Sequence, residues 1–569
     1  MRVDQKAEGP RQSMSWLHTW ASLILGWLLY AIFVTGTLSF FQNEISTWMK
    51  PETHQSIPAQ SQVQQMQVAL NYLQKNHPDA GSWNIQLPNS RQTTTEVTIR
   101  AVGEDPKARR GGTRITLDSA TGEVIEPRDT RGGGFLYRFH FELYGLPRLW
   151  TRWLVGIATM FMLVAIVSGI IAHKKIFKDF FTFRSGKGQR SWLDAHNATA
   201  VFALPFHLMI TFSGLLLLMF MFMPWGINQA YENRQQFLRD QQASMIEQPQ
   251  KAEDVPREGE RAARGERGQQ RGEHTEGRGE EHPKPELRPA PLTDLAPIMA
   301  AVQQQWKDNP IASINIISPN TDQAKIELRA LRAESVAHRN VYATLNYNGV
   351  TGQDETDKNI RIKNPSIPSA IYNVVTVLHE ARGLDLALRW LLFCSGILGT
   401  LMVATGLLLW CLKRAPQQQK QGYKSFGFRL VEVLNITAII GLPLACAAYF
   451  YANRFIPADV EMRLNWEIRS FFTVWLLTLI YAIFRTHRQA WLDLLLLATL
   501  AFVLLPVVNL MTGGQALWNS IAQGQWMIAS VDLAMWVMAV IFYFAYDKVK
   551  KHQGLPNKKV KVAVQEAEA

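Results

Sequence analysis

The stretch HTWASLILGWLLYAIFVTG, residues 18–36, decides the reading of this chain, because HNATAVFALPFHLMITFSG, residues 196–214, repeats its frame. Both open on a histidine and close 18 residues later on a glycine preceded by Thr or Ser: His18 with Thr35-Gly36, and His196 with Ser213-Gly214. A second pair of stretches has its own frame. Arg152-Trp153 leads to Ser168-Gly169, and Arg389-Trp390 leads to Thr405-Gly406, the glycine in each case 16 residues after the tryptophan. His140 precedes the first of these and His379 the second. The pattern implies a duplicated unit with histidines at both ends of a helix bundle. Paired histidines at two depths of a membrane are what two stacked haems need.

The frame sits in apolar sequence. Of 569 residues, 47% are apolar and 18 are Trp, yet mean hydropathy is near zero, so greasy spans alternate with very polar connections. Eight spans are predicted, at 17–41, 150–172, 200–223, 386–411, 428–452, 468–484, 490–511 and 526–547. Each can cross ~30 Å of hydrocarbon as a helix. The net charge of +12 is concentrated in short loops at 173–190, 413–429 and 485–488 and in the tail from Lys548. These fall on one side if the spans alternate, and the positive-inside rule makes that side cytoplasmic. Both termini are then cytoplasmic, in an inner membrane. Basic charge so placed argues against a nucleic-acid partner. The three cysteines offer no CxxC spacing and no CxxCH attachment motif, so a haem has to be held non-covalently.

The fold expected is therefore an α-helical integral membrane protein of about eight transmembrane helices, with a duplicated four-helix haem-binding core and two small periplasmic α+β domains. The expected divisions are 1–41 (first span), 42–149 (first outer domain), 150–223 (second and third spans), 224–292 (linker), 293–385 (second outer domain), 386–411 (fourth span) and 412–569 (an added module of four spans and a basic tail). Each outer domain reads as a helix followed by strands: Gln62 to Asn76, then 82–87, 94–102 and 114–117; and Leu295 to Trp306, then 311–317, 323–330 and 341–347. The Arg-, Gly- and Glu-rich linker, with His274 and His282, has too little apolar area to fold.

Imidazole is a standard axial ligand of haem iron, and ligation by two histidines favours electron transfer. Haem b is expected, two per chain. His18 and His196 are the inner candidates, and His140 and His379 the outer ones. Two further histidines break the symmetry. His173 stands where the second repeat has Trp410, and His207 where the first has Leu29. His207 lies 11 residues beyond His196, on the same face of one helix and ~16 Å along it. His207 is an alternative outer ligand and His173 an alternative inner one. An ionisable residue within a span is also a candidate for a proton relay or a transport path. Arg152 and Arg389 either pair with haem propionates or anchor helices in headgroups. The Ser/Thr-Gly pairs either let helices approach or make room for a macrocycle.

Leu17-His18-Thr-Trp with Thr35-Gly36, Phe139-His140-Phe-Glu142, Ala195-His196 with Ser213-Gly214, and Leu378-His379-Glu380 together resemble the PepSY-associated transmembrane family, over roughly residues 13–415. The outer domains look like PepSY domains, with Asp118 to Glu123 and Asn348 to Gly352 as closing turns. The resemblance implies a haem b protein that passes electrons across the inner membrane to a ferric siderophore or other ferric chelate. The donor would be quinol or a separate cytoplasmic reductase, since no nucleotide-binding glycine motif occurs. A membrane-anchored regulator of peptidases and a metal or solute transporter are the alternatives. The long linker and the four added spans depart from the family pattern.

Overall fold

A computed structural model describes residues 9–552, except 59–60, 109–110, 174, 183, 185, 187, 233, 244, 248–286 and 359–360. The charged linker with His274 and His282 lies largely outside the described residues. The chain is mostly helical. Among the described residues six helices are long and apolar enough to span a membrane, and two bent helix pairs bring the number to eight if each pair is one span.

Each repeat contributes four helices to the core. In the first these are α1 (Pro10–Ile24), α2 (Gly26–Ser39), α5 (Gly133–Glu142) and α6 (Arg148–Ala172); α3 (Gln42–Trp48) and α4 (Gln62–Asn76) lie between. In the second they are α7 (Gln189–Phe202), α8 (Leu204–Leu217), α10 (Ile367–Glu380) and α11 (Leu386–Gln421), with α9 (Leu295–Trp306) between. The first and third expected spans are not single rods. α1 and α2 meet at 65°, and α7 and α8 at 66°. In the second repeat the cause is Pro205, which has no N–H to give the preceding turn. This bend overturns the placement of His196 and His207 on one helix face, because the break at Ala203 lies between them.

Packing follows the duplication. α1 lies on α6 as α7 lies on α11, and α2 lies on α5 as α8 lies on α10. Contacts of α2 with α11 and of α6 with α8 cross from one repeat to the other.

Two separate sheets were expected, and one is found. Strands β1 (Ser82–Gln86), β2 (Thr95–Arg100), β3 (Thr113–Leu117) and β4 (Val124–Ile125) form one half. Strands β6 (Ile311–Ile317), β7 (Lys325–Ala330) and β8 (Thr344–Asn348) form the other. A short ladder, β5 (Ile246–Glu247) with β9 (Arg361–Ile362), stands apart. The seven strands run β4-β3-β2-β1-β6-β7-β8. At the join, β1 and β6 are antiparallel, with Trp83 opposite Ile316, Asn84 opposite Asn315 and Ile85 opposite Ile314. This register is self-complementary about the Asn84–Asn315 pair, as a twofold axis between two like strands requires. α4 and α9 cover one face, and Trp83, Ile85, Ile314 and Ile316 are fully buried beneath them. Joining the halves removes one exposed strand edge from each.

The added module is α12 (Phe426–Phe455, with a π-turn at Thr437–Gly441), α13 (Arg463–Phe484), α14 (His487–Met511) and α15 (Trp526–Lys551). It grips the first repeat. Trp48, wholly buried, donates from Nε1 to Asp532 at 2.7 Å and lies under the Arg454 guanidinium at 4.3 Å. Thr130 donates to Glu467 at 2.7 Å, Glu467 pairs with the buried Arg463, and Tyr449 donates to the Gly132 carbonyl at 3.0 Å. Buried charges that are paired and hydrogen-bonded in this way are costly to break.

His54 completes the grip outside the spans. Its Nε2–H donates to the Thr47 carbonyl at 3.0 Å, and its Nδ1 accepts from the Gln515 N–H at 3.2 Å. Burial, with Arg454 and Arg128 nearby, holds its pKa down to about 3, although the Thr47 and Trp48 carbonyls pull the other way. The unfolded chain titrates near 6.5 and therefore binds more protons below that pH. Stability is unaffected above about pH 6.5 and falls as pH drops beneath it. At pH 5 the loss is about 2 kcal/mol. Thermal unfolding at pH 7.5 and 5 should show this drop in the native chain and a smaller one in His54→Gln, whose amide can make both bonds without titrating.

Candidate functional site

The two repeat-matched histidine pairs come together. The rings of His18 and His196 are 6.3 Å apart between centres, and those of His140 and His379 6.1 Å. Each histidine is held by its own repeat and faces its partner from the other repeat. His18 Nδ1 donates to the Ala165 carbonyl at 2.8 Å, and His140 Nδ1 to the Ile32 carbonyl at 2.8 Å. His196 Nδ1 meets the Met402 carbonyl at 3.0 Å and Thr405 Oγ1 at 3.2 Å. His379 Nδ1 meets Ser213 Oγ at 2.7 Å.

These seats explain the Ser/Thr-Gly pairs. In each helix a carbonyl at one position is followed by Ser or Thr three residues later and Gly four residues later: Ile32, Thr35, Gly36; Ala165, Ser168, Gly169; Ile210, Ser213, Gly214; Met402, Thr405, Gly406. The hydroxyl gives its proton to the carbonyl four residues back, at 2.7 Å for Thr35, 2.6 Å for Ser168, 2.6 Å for Ser213 and 2.7 Å for Thr405. Thr405 and Ser213 therefore turn a lone pair toward the imidazole and accept from its Nδ1–H. The glycine leaves space for the ring. A Cβ on Gly36 would lie 2.6 Å from His140, one on Gly169 3.1 Å from His18, one on Gly406 3.2 Å from His196 and one on Gly214 3.4 Å from His379. The glycines thus seat histidine rings.

With every Nδ1 carrying its proton, every Nε2 holds a lone pair, and none of the four has a hydrogen bond among the described residues. A hydrogen bond on the far nitrogen fixes tautomer and orientation and raises basicity at the free one.

The remaining candidates join neither pair of rings. His173 ends α6, with Asn197 Nδ2 3.3 Å from its Nε2. His207 is fully buried beside Phe33, Phe206 and Gly399, and neither ring nitrogen has a close hydrogen-bond partner among the described residues. Ala200, at the break in its helix, lies close to it. Arg152 pairs with Glu142. Arg389 is 5% exposed, bonds Glu44 at 2.7 Å and stacks over Phe41 at 5.2 Å, so it does not reach toward headgroups. Glu44, which the sequence did not single out, also holds Arg91 at 3.0 Å and so ties the sheet to the core.

A cavity of about 280 Å³ adjoins His140 and His379. Leu29, Ile32, Phe33, Val155 and Met162 make its walls apolar, and Tyr137, Arg152 and Glu380 give it a polar rim. Gly396 and Thr159 lie at this level, and Gly406 and Gly169 at the level of His196 and His18. Ten residues separate the levels on both α6 and α11, about 15 Å of helix rise.

Residues 15–413 match the family model described as the PepSY-associated TM region. The chain belongs to this family. The match holds both repeats, all four paired histidines and the whole sheet, and it ends before α12. The added module is thus an extension of the PepSY-associated core. A comparison with curated proteins gave no match.

The seats rank the glycines by the room they leave. Gly36→Ala forces a methyl against a ring that is bonded to backbone, an overpacking that costs about 1–3 kcal/mol. Gly214→Ala meets only an ordinary contact. Thermal unfolding of the two variants in detergent should place Gly36→Ala well below Gly214→Ala.

Proposed function

We propose that the chain is a haem b oxidoreductase of the inner membrane, carrying single electrons between two stacked haems to reduce ferric siderophores or related ferric chelates beside the sheet. The observation that carries this reading is the pair of facing imidazoles at each of two levels, every Nδ1 engaged and every Nε2 free. A metal ion bonded to both rings at about 2 Å puts their centres about 6 Å apart, which is the spacing of both pairs. Among the described residues no group of three His, Cys, Asp or Glu side chains gathers around a common point. A bare ion would find two protein ligands at either level, whereas iron in a porphyrin asks for two.

Haem so held supplies a reversible one-electron change at iron with no position open to substrate. The protein's own residues do the rest. His18 and His196 would hold one haem, His140 and His379 the other. The apolar walls of the cavity keep water from the His140–His379 pair, and Arg152 at its rim would offer positive charge to propionates. Reduction of ferric to ferrous iron weakens its hold on hard oxygen ligands and frees it from the chelate.

The direction rests on charge. The basic loops around Lys175 to Arg190, Lys413 to Arg429 and Arg485 to Arg488 follow helix ends away from the sheet, which supports a cytoplasmic placement of that end and a periplasmic one of the sheet.

Pyridine haemochrome analysis should give two b-type haems per chain. His18→Ala or His196→Ala should remove one, and His140→Ala or His379→Ala the other, while His173→Ala keeps both. Haem-free, well-folded protein overturns the reading. Dithionite-reduced protein mixed anaerobically with ferric siderophores should reoxidise and release Fe(II) that ferrozine traps. Haem that stays reduced with every ferric chelate tested would remove the proposed substrate.

A further inference from the structure

The added module brings an aromatic cluster against the helix that carries His140. Phe139, the residue before it, lies 5.9 Å from Phe472, 5.8 Å from Phe471 and 6.1 Å from Trp475, all on α13. Phe472 stacks in turn on Tyr144, at 5.7 Å and 24°. The second repeat has no such neighbour at His379 among the described residues.

Tyr144 and Phe472 form one side of a groove of about 440 Å³, completed by Ile468 and by Asn465, Arg469 and Thr473. The groove lies along the first turns of α13, at the membrane edge nearest the sheet. Ile468 is buried at its base, and Arg469 and Thr473 are open to the surroundings. Among the described residues the side chains of Asn465 and Thr473 make no hydrogen bond and Arg469 has no acidic partner, stacking on Trp466 at 4.8 Å. The turn that presents Tyr144 is unusual. Leu143 has φ 54° and ψ −162°, a region kept almost wholly for glycine, and Gly145 follows at φ 85°.

We propose that this groove is a quinone-headgroup site, and that through Phe472 and Phe139 it exchanges electrons with the His140–His379 pair. The electron step rests on the haem reading above; the binding site does not. A quinone is a flat ring with oxygen acceptors at its edge and an isoprenoid tail that belongs in lipid. The groove offers stacked rings, three unengaged donor groups along one side, and an opening at the membrane edge. A phosphate would call for clustered cations, and the groove holds one. A bound quinol breaks its two O–H bonds, releases both protons to the aqueous phase beside the sheet and gives up two electrons one at a time, becoming the quinone. Two ferric ions take one electron each and become ferrous. Two one-electron levels in the core suit a two-electron donor, because both electrons can leave the ring before either reaches a chelate.

The test uses the full chain in phosphatidylcholine–phosphatidylglycerol nanodiscs and a photoactivatable azido-benzoquinone with a short isoprenoid tail. Label should map by mass spectrometry to the Tyr144 turn or to residues 465–473, and excess short-chain ubiquinone should compete it away. Asn465→Leu and Arg469→Gln, surface changes that leave the fold intact, should each cut labelling at least fivefold. Trp518→Leu, at an exposed ring elsewhere in the module, should not. Label landing outside the groove, or label in it that the two variants leave unchanged, overturns the site. Label displaced by added phospholipid but not by ubiquinone makes it a lipid site instead. Haem content measured on the same unmutated protein separates the two ideas. A groove that labels in a protein carrying no haem overturns the electron reading and keeps the quinone site, and a haem-replete protein that does not label does the reverse.

Discussion

The core depends on one local device: an imidazole whose Nδ1–H is spent on a helix of its own repeat, with a glycine beneath the ring. In a membrane interior a backbone carbonyl that takes a second donor and a buried imidazole that needs an acceptor answer each other's cost. The device fixes three things at once: the tautomer, the direction of the free nitrogen and the depth of the ring. Because each seat is complete within one repeat, the twofold arrangement of the repeats need only bring the free nitrogens face to face. Duplication then yields two facing pairs from one seat design used four times.

The bent spans belong to the same device. His18 and His196 lie on the tilted legs α1 and α7, and their rings land on α6 and α11 near the ends away from the sheet. His140 and His379 come from the short helices α5 and α10, which descend from the sheet and land on α2 and α8. A straight first span would carry its histidine along the bundle axis and not across it. Proline at position 205 makes one of these bends legible; the bend at Leu25 has no proline, only Gly26 beside it, a weaker signal.

This explains what the sequence could and could not tell. The histidines, the Ser/Thr-Gly pairs and the repeat offsets were visible because they recur at fixed spacing along the chain. Their partnership was not, since His18 sits in the same stretch as Gly36 but rests on Gly169, and only packing between helices reveals that. The strands were legible from alternation, almost to the residue at 311–317. Their union into one sheet was not, because the pairing of Asn84 with Asn315 is a property of two edges and neither strand alone carries its signal. Helices α5 and α10 escaped notice because they are short and lean on the spans that follow. Glu44 escaped because a single acidic residue between a span and a helix reads as a solvated end, whereas here it is buried between Arg91 and Arg389.

The added module breaks the twofold symmetry, and this is where the two halves of the upper pair come to differ. His140 borders the ring cluster of α13, whereas His379, seated on the Ser213 hydroxyl and the Ile210 carbonyl, borders α8. Asymmetry of this kind can be held only if the module is rigid against the first repeat. The Thr130–Glu467 bond, the bond from Arg463 to the Asp129 carbonyl, the Arg454–Trp48 stack and the Trp48–Asp532 bond provide that rigidity, for each would leave an unpaired charge or donor in a dry place if the module swung away. The module is fastened where its aromatic cluster would have to stay in register with His140.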